Sequence, residues 1–357
     1  MNLTEFRKLV GPKIIAANWT EAVSNKIPYL GETLFPSKQK AGLDLKWIKG
    51  SKGLPVSLMP SAFDAKTTFR NREGLKFTET EMPFFREGFR LGEKDRQEIL
   101  RIQEKGDPYM NDALSRVFDD ANNLLEGALV VAEREIMSLL FPANGNVGIS
   151  FKANGVDYTY NYDPDGTWKA ANYFVIPGDK TWDKPNAADP LEDIRVAQDA
   201  IKAQGGNGVL IVMNNDTFKL FRSIKAIKDL FITISGVGTP YLTDAQITGI
   251  LKDALGLAGI IVYDKQYKDE DGVTHKFVPD GYVAVIPDGT LGNTWRGTTP
   301  EEADLMGSGQ ADVVVVNNGI AIKQIVETDP VNLFTIASEI VLPSFERMNE
   351  FALIKVK

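Results

Sequence analysis

The sequence predicts a mixed α+β chain, and three observations carry that reading. A single apolar stripe recurs at spacings of three and four from Leu114 to Leu139, which marks one long amphipathic helix. Residues 207–325 alternate short apolar runs with helical segments, the pattern of an α/β unit with buried strands. Between residues 41 and 100, and again at the C-terminus, period-two stretches are broken by Gly and Pro, as strands are by their turns.

Residues 1–40 mix short apolar patches with Pro12, Pro28, Gly31 and Pro36. They read as an extended N-terminal arm with room for one short helix near its start. Residues 41–100 hold two β-rich segments, GLDLKWIKGSKGLPVSLM and TFRNREGLKFTETEMPFFREGF, around a polar middle, with Gly74 as a turn. That is a long two-stranded excursion. Such a ribbon is marginal in water by itself, so a partner surface should cover it.

Asp107 can cap the next helix and Pro108 suits its first turn. Its stripe is Leu114, Val117, Phe118, Ala121, Leu124, Leu125, Ala128, Ala132, Ile136 and Leu139, and Pro142 and Gly145 stop it. A helix over 107–141 would be roughly 45–50 Å long at 1.5 Å per residue. Within 146–176, GISFKANGVDYTYNYD alternates about Asn154–Gly155, a hairpin signal, and Asp163-Pro-Asp-Gly166 makes another turn. Gly178 to Pro190 is a polar connector and a candidate domain boundary. Asp189 or Pro190 opens the helix PLEDIRVAQDAIKAQ, which Gly205 and Gly206 close.

Beyond it, GVLIVMN reads as a buried strand and NDTFKLFRSIKAIKDLF as a helix capped by Asn215 or Asp216. TDAQITGILKDAL is a further helix, and AGIIVYD, GYVAVIPD and ADVVVVNN are further strands of the same α/β domain. The last thirty residues or so return to strand patterning.

At 357 residues, 43% hydrophobic and 25% charged, the chain has globular composition with apolar residues enough for a sizeable core. No run of about 18 apolar residues occurs, so no bilayer-spanning helix is expected. The opening MNLTEFRKLVGPKII lacks the layout of a signal peptide, and a soluble chain kept inside a cell is expected. There is no Cys and one His, which removes disulfides, thiol nucleophiles and thiolate metal sites. His275 lies in the hairpin-like KDEDGVTHKF and reads as an exposed loop residue.

Charge is unevenly placed. The first 105 residues carry 19 Lys and Arg against 13 Asp and Glu, whereas the rest carry 21 against 35. One part of the chain is therefore suited to lie across another, or across a neighbour. An overall charge of −8 argues against a duplex DNA reader.

No phosphate loop is found. Gly205-Gly206-Asn207-Gly208 precedes a strand instead of following one, and Gly50-Ser51-Lys52-Gly53 lacks the required spacing. Asp269-Glu270-Asp271, Asp119-Asp120 and Glu301-Glu302 are acidic runs without metal-loop spacing. The expectation is therefore no catalytic, cofactor-binding or metal-binding residue and no cofactor. Carboxylate-only chemistry leaves no linear signature, so a soluble α/β enzyme or ligand-binding protein using carboxylates stays as the alternative.

Phe221-Arg-Ser-Ile-Lys-Ala-Ile-Lys228 resembles a segment of the lambda-type (gene E product) major capsid proteins of tailed bacteriophages. In collinear order follow Ile261-Val-Tyr263, Gln266-Tyr267, Gly272-Val273, Lys276-Phe277, Pro279-Asp280, Gly292-Asn293-Thr294, Arg296-Gly297, Asp329-Pro330, Phe334-Thr335-Ile336, Pro343 and Phe351. The resemblance spans about 190–357 by motif and 1–150 by organisation. A phage tail or sheath component would share the self-assembly logic but not this motif order.

The resemblance implies the Hong Kong 97-type capsid fold: N-terminal arm 1–40, extended β-loop 41–100, and a peripheral domain beginning over 101–190 with spine helix 107–141. An axial domain over 191–325 and closing peripheral strands over 326–357 complete it. It implies a head protein, not an enzyme, that self-assembles as pentamers and hexamers into an icosahedral shell around packaged double-stranded DNA. That shell is the virion capsid, assembled in the host cytoplasm. Implied partners are a separate scaffold or assembly protease, a portal, a decoration protein, and packaged DNA touched non-specifically; no membrane is implied. The subunit-contact residues of the extended loop are then Lys46, Trp47, Lys49, Lys52, Lys66, Arg70, Arg72 and Lys76, meeting acidic surface on a neighbour. No lysine–asparagine–glutamate cross-linking trio is identifiable.

Overall fold

The computed structural model describes residues 10–24, 28–48, 77–94, 97, 109–153, 156–235, 242–308, 311–329 and 331–357. The chain divides into two compact units, each built from separate stretches of sequence. The first combines 1–45, 79–134 and 293–344; the second combines 46–78, 135–292 and 345–357.

The first unit is organised by a six-stranded sheet. Its shared strand is β16 (Val331–Ser344), which pairs antiparallel with β15 (Ile320–Thr328), β13 (Asn293–Gly297) and β4 (Phe84–Leu91). Beyond these, β14 (Asp312–Val316) pairs with β15, and β1 (Ser37–Lys40) runs parallel to β13. One face is covered by helix α1 (Pro12–Ser24) and the long helix α3 (Tyr109–Leu140). Ile15, Trp19, Ala121, Leu125 and Leu129 bury there against Ile320 and Ile322.

Two expectations change in this unit and one is extended. The arm, expected to be extended with one short helix near its start, holds a 13-residue helix over Pro12–Ser24. Pro12 fits its first turn, and Ile15 and Trp19, four residues apart, share the buried face. Two large residues are too short a stripe to read from sequence; the surface they meet makes the helix pay. Phe84–Leu91 leaves the expected excursion and lies along Leu333–Ile340. The run ADVVVVNN supplies β14 here, and no strand of the α/β sheet.

The long helix lies within its expected bounds. Ala121, Leu124, Leu125, Ala132, Ile136 and Leu139 of its stripe are buried; Asp107 and Pro108 lie outside the described residues.

The second unit holds a five-stranded sheet in the order β7 (Tyr173–Val175), β17 (Ala352–Lys355), β12 (Tyr282–Ile286), β8 (Leu210–Met213), β9 (Gly259–Val262). The outer pairs are parallel and the inner pairs antiparallel. Helices α5 (Pro190–Ala203), α6 (Asn215–Ser223), α7 (Lys225–Ser235) and α8 (Asp244–Leu255) contribute to its core. Ile194, Ile201, Phe221, Ile227, Ile247 and Leu251 bury with Ile211, Met213, Val283 and Ile354.

Capping explains where these helices start. Asp189 accepts from the Glu192 N–H ahead of Pro190, and Thr243 and Gln246 form a reciprocal capping box. The single helix expected over NDTFKLFRSIKAIKDLF is two. Ile224 is fully buried with extended backbone (φ −68°, ψ 134°) and separates them. Its cap is Asn214, one residue before those expected: Oδ1 accepts from the Thr217 N–H at 2.8 Å and Nδ2 donates to the Val278 carbonyl.

The connector 178–190 is part of this unit. Trp182 is fully buried, its N–H donates to the Val356 carbonyl, and its indole donates to Asp193 at 2.8 Å. Phe345–Lys357 likewise falls in this unit, apart from the strands before it, because Leu353 and Ile354 are buried between β12 and β7.

A hairpin of β5 (Gly148–Ala153) and β6 (Val156–Asn161) precedes the short helix α4 (Thr167–Asn172). The Asn154–Gly155 turn lies outside the described residues. Asp163 accepts from Trp168 N–H and Lys169 N–H and so opens that helix.

Candidate assembly site

The residues expected to meet a neighbour belong to the excursion between β2 (Asp44–Ile48) and β3 (Phe77–Glu81). These strands pair as a separate two-stranded sheet. Lys46 and Trp47 are on β2. Lys49, Lys52, Lys66, Arg70, Arg72 and Lys76 lie outside the described residues.

The root of that stem is well defined. The Met82 N–H donates to the Leu43 carbonyl at 2.9 Å, and Leu45 and Met82 are buried. Gly297 on β13 leaves room for Met82 and Ile340, since a Cβ there would come within 2.7 Å of Ile340 Cγ2 and 3.0 Å of Met82 Cε. From Met82 and Pro83 the chain enters β4 directly.

One buried carboxylate ties β4 to the sheet. Glu301 opens a π-helical turn, Glu301–Leu305, and is 1% exposed. Its Oε1 accepts from Arg86 Nη2 of β4 at 2.5 Å and Lys323 Nζ of β15 at 2.8 Å. Its Oε2 accepts from Ser338 Oγ of β16 at 2.9 Å. Burial raises its pKa, but hydrogen bonds from Lys323, its own backbone and Ser338 with the Lys323 charge bring the net shift below the ordinary carboxylate value. Arg86 also lies over the Phe84 ring at 4.7 Å.

A second buried pair joins Arg296 of β13 to Glu339 of β16. Burial pushes the Glu339 carboxyl up to about 7 against the opposing pull of Arg296. Sequence reading passed over both pairs. Glu301 stood in an unremarkable acidic run, and the others are single charges on apolar strands, where an inward-facing charge is the available signal.

The acidic run at 269–271 serves its own hairpin. Asp269 accepts from the Asp271 and Val273 N–H groups and meets His275 Nε2 at 2.6 Å. His275 is exposed, on β11 (Thr274–Lys276) of a hairpin with β10 (Gln266–Lys268), and its ring stacks on Tyr267. Asp119 and Asp120 are exposed on α3. Among the described residues no group of three or more His, Asp or Glu is placed to hold a metal ion. A groove of about 660 Å³ beside β5 and β6 has Asp163, Lys169 and the Tyr160 phenol as its ionisable lining. Asp163 opens α4 and Lys169 Nζ donates to Asn146 at 2.9 Å, so both already serve structural contacts.

The model of one family, phage major capsid protein E, matches residues 15–356. The chain belongs to that family. It is a structural protein of the phage head, and the mixed α+β fold is that of Hong Kong 97-type capsid proteins. A phage-related protein from Bordetella bronchiseptica RB50 is similar with TM-score 0.56 and 13% identity, over 96% of each chain. A putative prophage capsid protein from Escherichia coli CFT073 is similar with TM-score 0.52 and 17% identity, over 79% of this chain and 80% of that one. A chain of the cyanophage A-1(L) capsid has TM-score 0.50 and 11% identity, over 92% and 91%. Among curated proteins none matches. No described helix of this capsid-family chain is long and apolar enough to cross a membrane.

Proposed function

We propose that this major capsid protein closes an icosahedral shell around double-stranded DNA by laying its 49–76 excursion across a neighbouring copy. The observation that carries the proposal is the placement of charge. The excursion has six basic residues, Lys49, Lys52, Lys66, Arg70, Arg72 and Lys76, against Asp64 and Glu73, in a chain of net charge −8. It leaves from β2 and β3, a stem rooted by Leu45 and Met82. The ribbon that the sequence predicts there would leave Leu54, Leu58, Phe63 and Phe69 without cover in a single copy, and a second copy over it would stabilise it.

In this reading the first unit acts as the peripheral domain with the spine helix, and the five-stranded unit acts as the axial domain. Copies assemble as pentamers and hexamers in the host cytoplasm. A separate scaffold or assembly protease sets the shell size, a portal occupies one vertex, and a decoration protein reinforces the lattice. DNA contact is non-specific, as suits an acidic subunit without a base-reading motif.

The test replaces Lys49, Lys52 and Lys66 together by Glu. Electron microscopy and sedimentation of the full chain, co-expressed with its neighbouring genes, should find folded subunits and no shells. Shells at wild-type yield would refute the charge contact.

A further inference from the structure

We propose that the outer edge of β14 joins β14 of a second copy in an antiparallel, two-fold pairing, so that the six-stranded sheet runs on from one subunit into the next. The inference uses the structural role of the family and does not depend on the 49–76 excursion.

Among the described residues three strands of this sheet have a single pairing partner: β1, β4 and β14. β1 carries Lys38 and Lys40, and β4 carries Arg86, Glu87 and Arg90; charges of this kind keep an edge from pairing further. β14 is Asp312 followed by four valines, with no Pro, Gly or Lys among them. All four valines are half-buried. The faces of the strand are occupied within the chain: helix α1 and the turn Glu301–Leu305 both pack on it, and Val316 joins the cluster around Ile15, Trp19 and Ile320. The edge is what remains. Along 312–316 the one backbone hydrogen bond outside the strand ladders runs from the Gly319 N–H to the Val316 carbonyl, in the turn into β15. Alternate N–H and C=O groups of an antiparallel strand point away from its partner. Those of Val313–Val315 that face outward therefore have no backbone partner among the described residues, and an added strand would supply one.

A second β14 fits that edge. A two-fold axis perpendicular to the sheet keeps each face on its own side, so opposite residues share a face and the pairing centres on Val314 or on Val315. Centring on Val314 sets Val313 against Val315 and Asp312 against Val316 of the other copy. Centring on Val315 sets Val314 against Val316 and Val313 against Asn317. Either way valine meets valine, a favoured cross-strand pair, and the two Asp312 carboxylates lie at opposite ends with no like charge across the joint. The β1 or β4 edge of a neighbour would instead set Lys or Arg against valine. About five residues a side bury far less than the roughly 1,000 Å² of a lasting two-protein interface. The joint is thus one weak contact multiplied over many copies, as suits a head protein.

The chain has no Cys, so Val314→Cys and Val315→Cys each place a single thiol at a candidate centre. Shells of each, made by co-expressing the full chain with its neighbouring genes, are oxidised with diamide and run on a non-reducing denaturing gel. One of the two should give mostly covalent dimer, several-fold more than the other. It should also exceed Lys38→Cys on the exposed β1 edge, which reports chance encounter. Hydrogen exchange gives a second reading without any substitution. Amides within 312–316 should exchange about tenfold more slowly in wild-type shells than in free subunits, the ratio set by one net hydrogen bond. Shells that yield no dimer from either thiol overturn the pairing, as does equal dimer from Lys38→Cys. Protection of 312–316 without dimer assigns the edge to a different strand and refutes the two-fold joint. Unchanged exchange refutes it even where both variants fail to assemble. If the wild-type chain forms no shell at all, the proposed shell assembly fails; the joint is then decided by whether the oxidised free chain gives the same site-selective dimer.

Discussion

Arg296 and Glu339 are a pair of opposite charges at 3% and 2% side-chain exposure, and they make the sheet of the first unit pH-sensitive. The Glu339 carboxyl is raised by burial from 4.5 to about 7, with Arg296 opposing. Between those values the folded chain binds a proton that the unfolded chain does not. The group's contribution to stability is thus greatest below about pH 4.5 and is lost as pH rises through 7. The difference in unfolding free energy between wild type and Glu339→Gln should therefore fall from pH 5 to pH 8. A flat difference would refute the shift. Arg296→Met should cost about 3–5 kcal/mol at pH 8, where the buried Glu339 carboxyl, without its counter-charge, must either stay charged or take up a proton. At pH 5.5 the cost should be smaller, because that carboxyl is then protonated; denaturant melts at both values check it. Neither residue was legible beforehand, because a charge on an apolar strand reveals its direction but not what stands opposite.

Local rules and long-range contacts divide the elements between them. Helices α5 and α8 were legible because their caps and stripes lie within one stretch of chain. The break at Ile224 and the cap at Asn214 were not, because both depend on residues far away: the core around Ile224, and Val278 for the Asn214 amide. Asn214→Ala should cost about 1–2 kcal/mol through loss of the cap, and more if the Val278 carbonyl is left unsatisfied. Thermal melts of the variant measure it. Helix α1 makes the same point. Its indole Trp19 is 1% exposed against α3 and β15, and Trp19→Ala should cost about 3–5 kcal/mol. The loss should appear in exchange on 12–24 and 320–322 and not in the second unit. Equal loosening of both units would contradict that assignment.

At the scale of the molecule the charge asymmetry becomes an assembly argument. If the basic excursion meets acidic surface on a neighbour, raising salt from 0.05 to 0.5 M should slow the encounter of subunits, since exposed charges are screened beyond roughly 10 Å at 0.1 M. Light scattering at several salt concentrations tests this; a salt-independent rate would point to apolar contacts instead. Shells once formed should melt above free subunits, because binding to the folded state alone stabilises it.

The candidate contact residues follow from the family resemblance and the basic charge of the extended loop, and two of the eight, Lys46 and Trp47, lie on β2. The sequence by itself determined the mixed fold, the long helix, helices α5 and α8 of the second unit and the family, since each is written in short-range periodicity, turn chemistry or motif order. The tertiary structure alone decided that β4 joins β16, that β14 leaves the α/β sheet, that residues 345–357 close the second unit, and that Glu301 and Glu339 are buried. Strand pairing and burial join residues more than 200 positions apart (Phe84 with Ile340, Arg86 with Glu301). No local pattern encodes which of several similar apolar strands will meet.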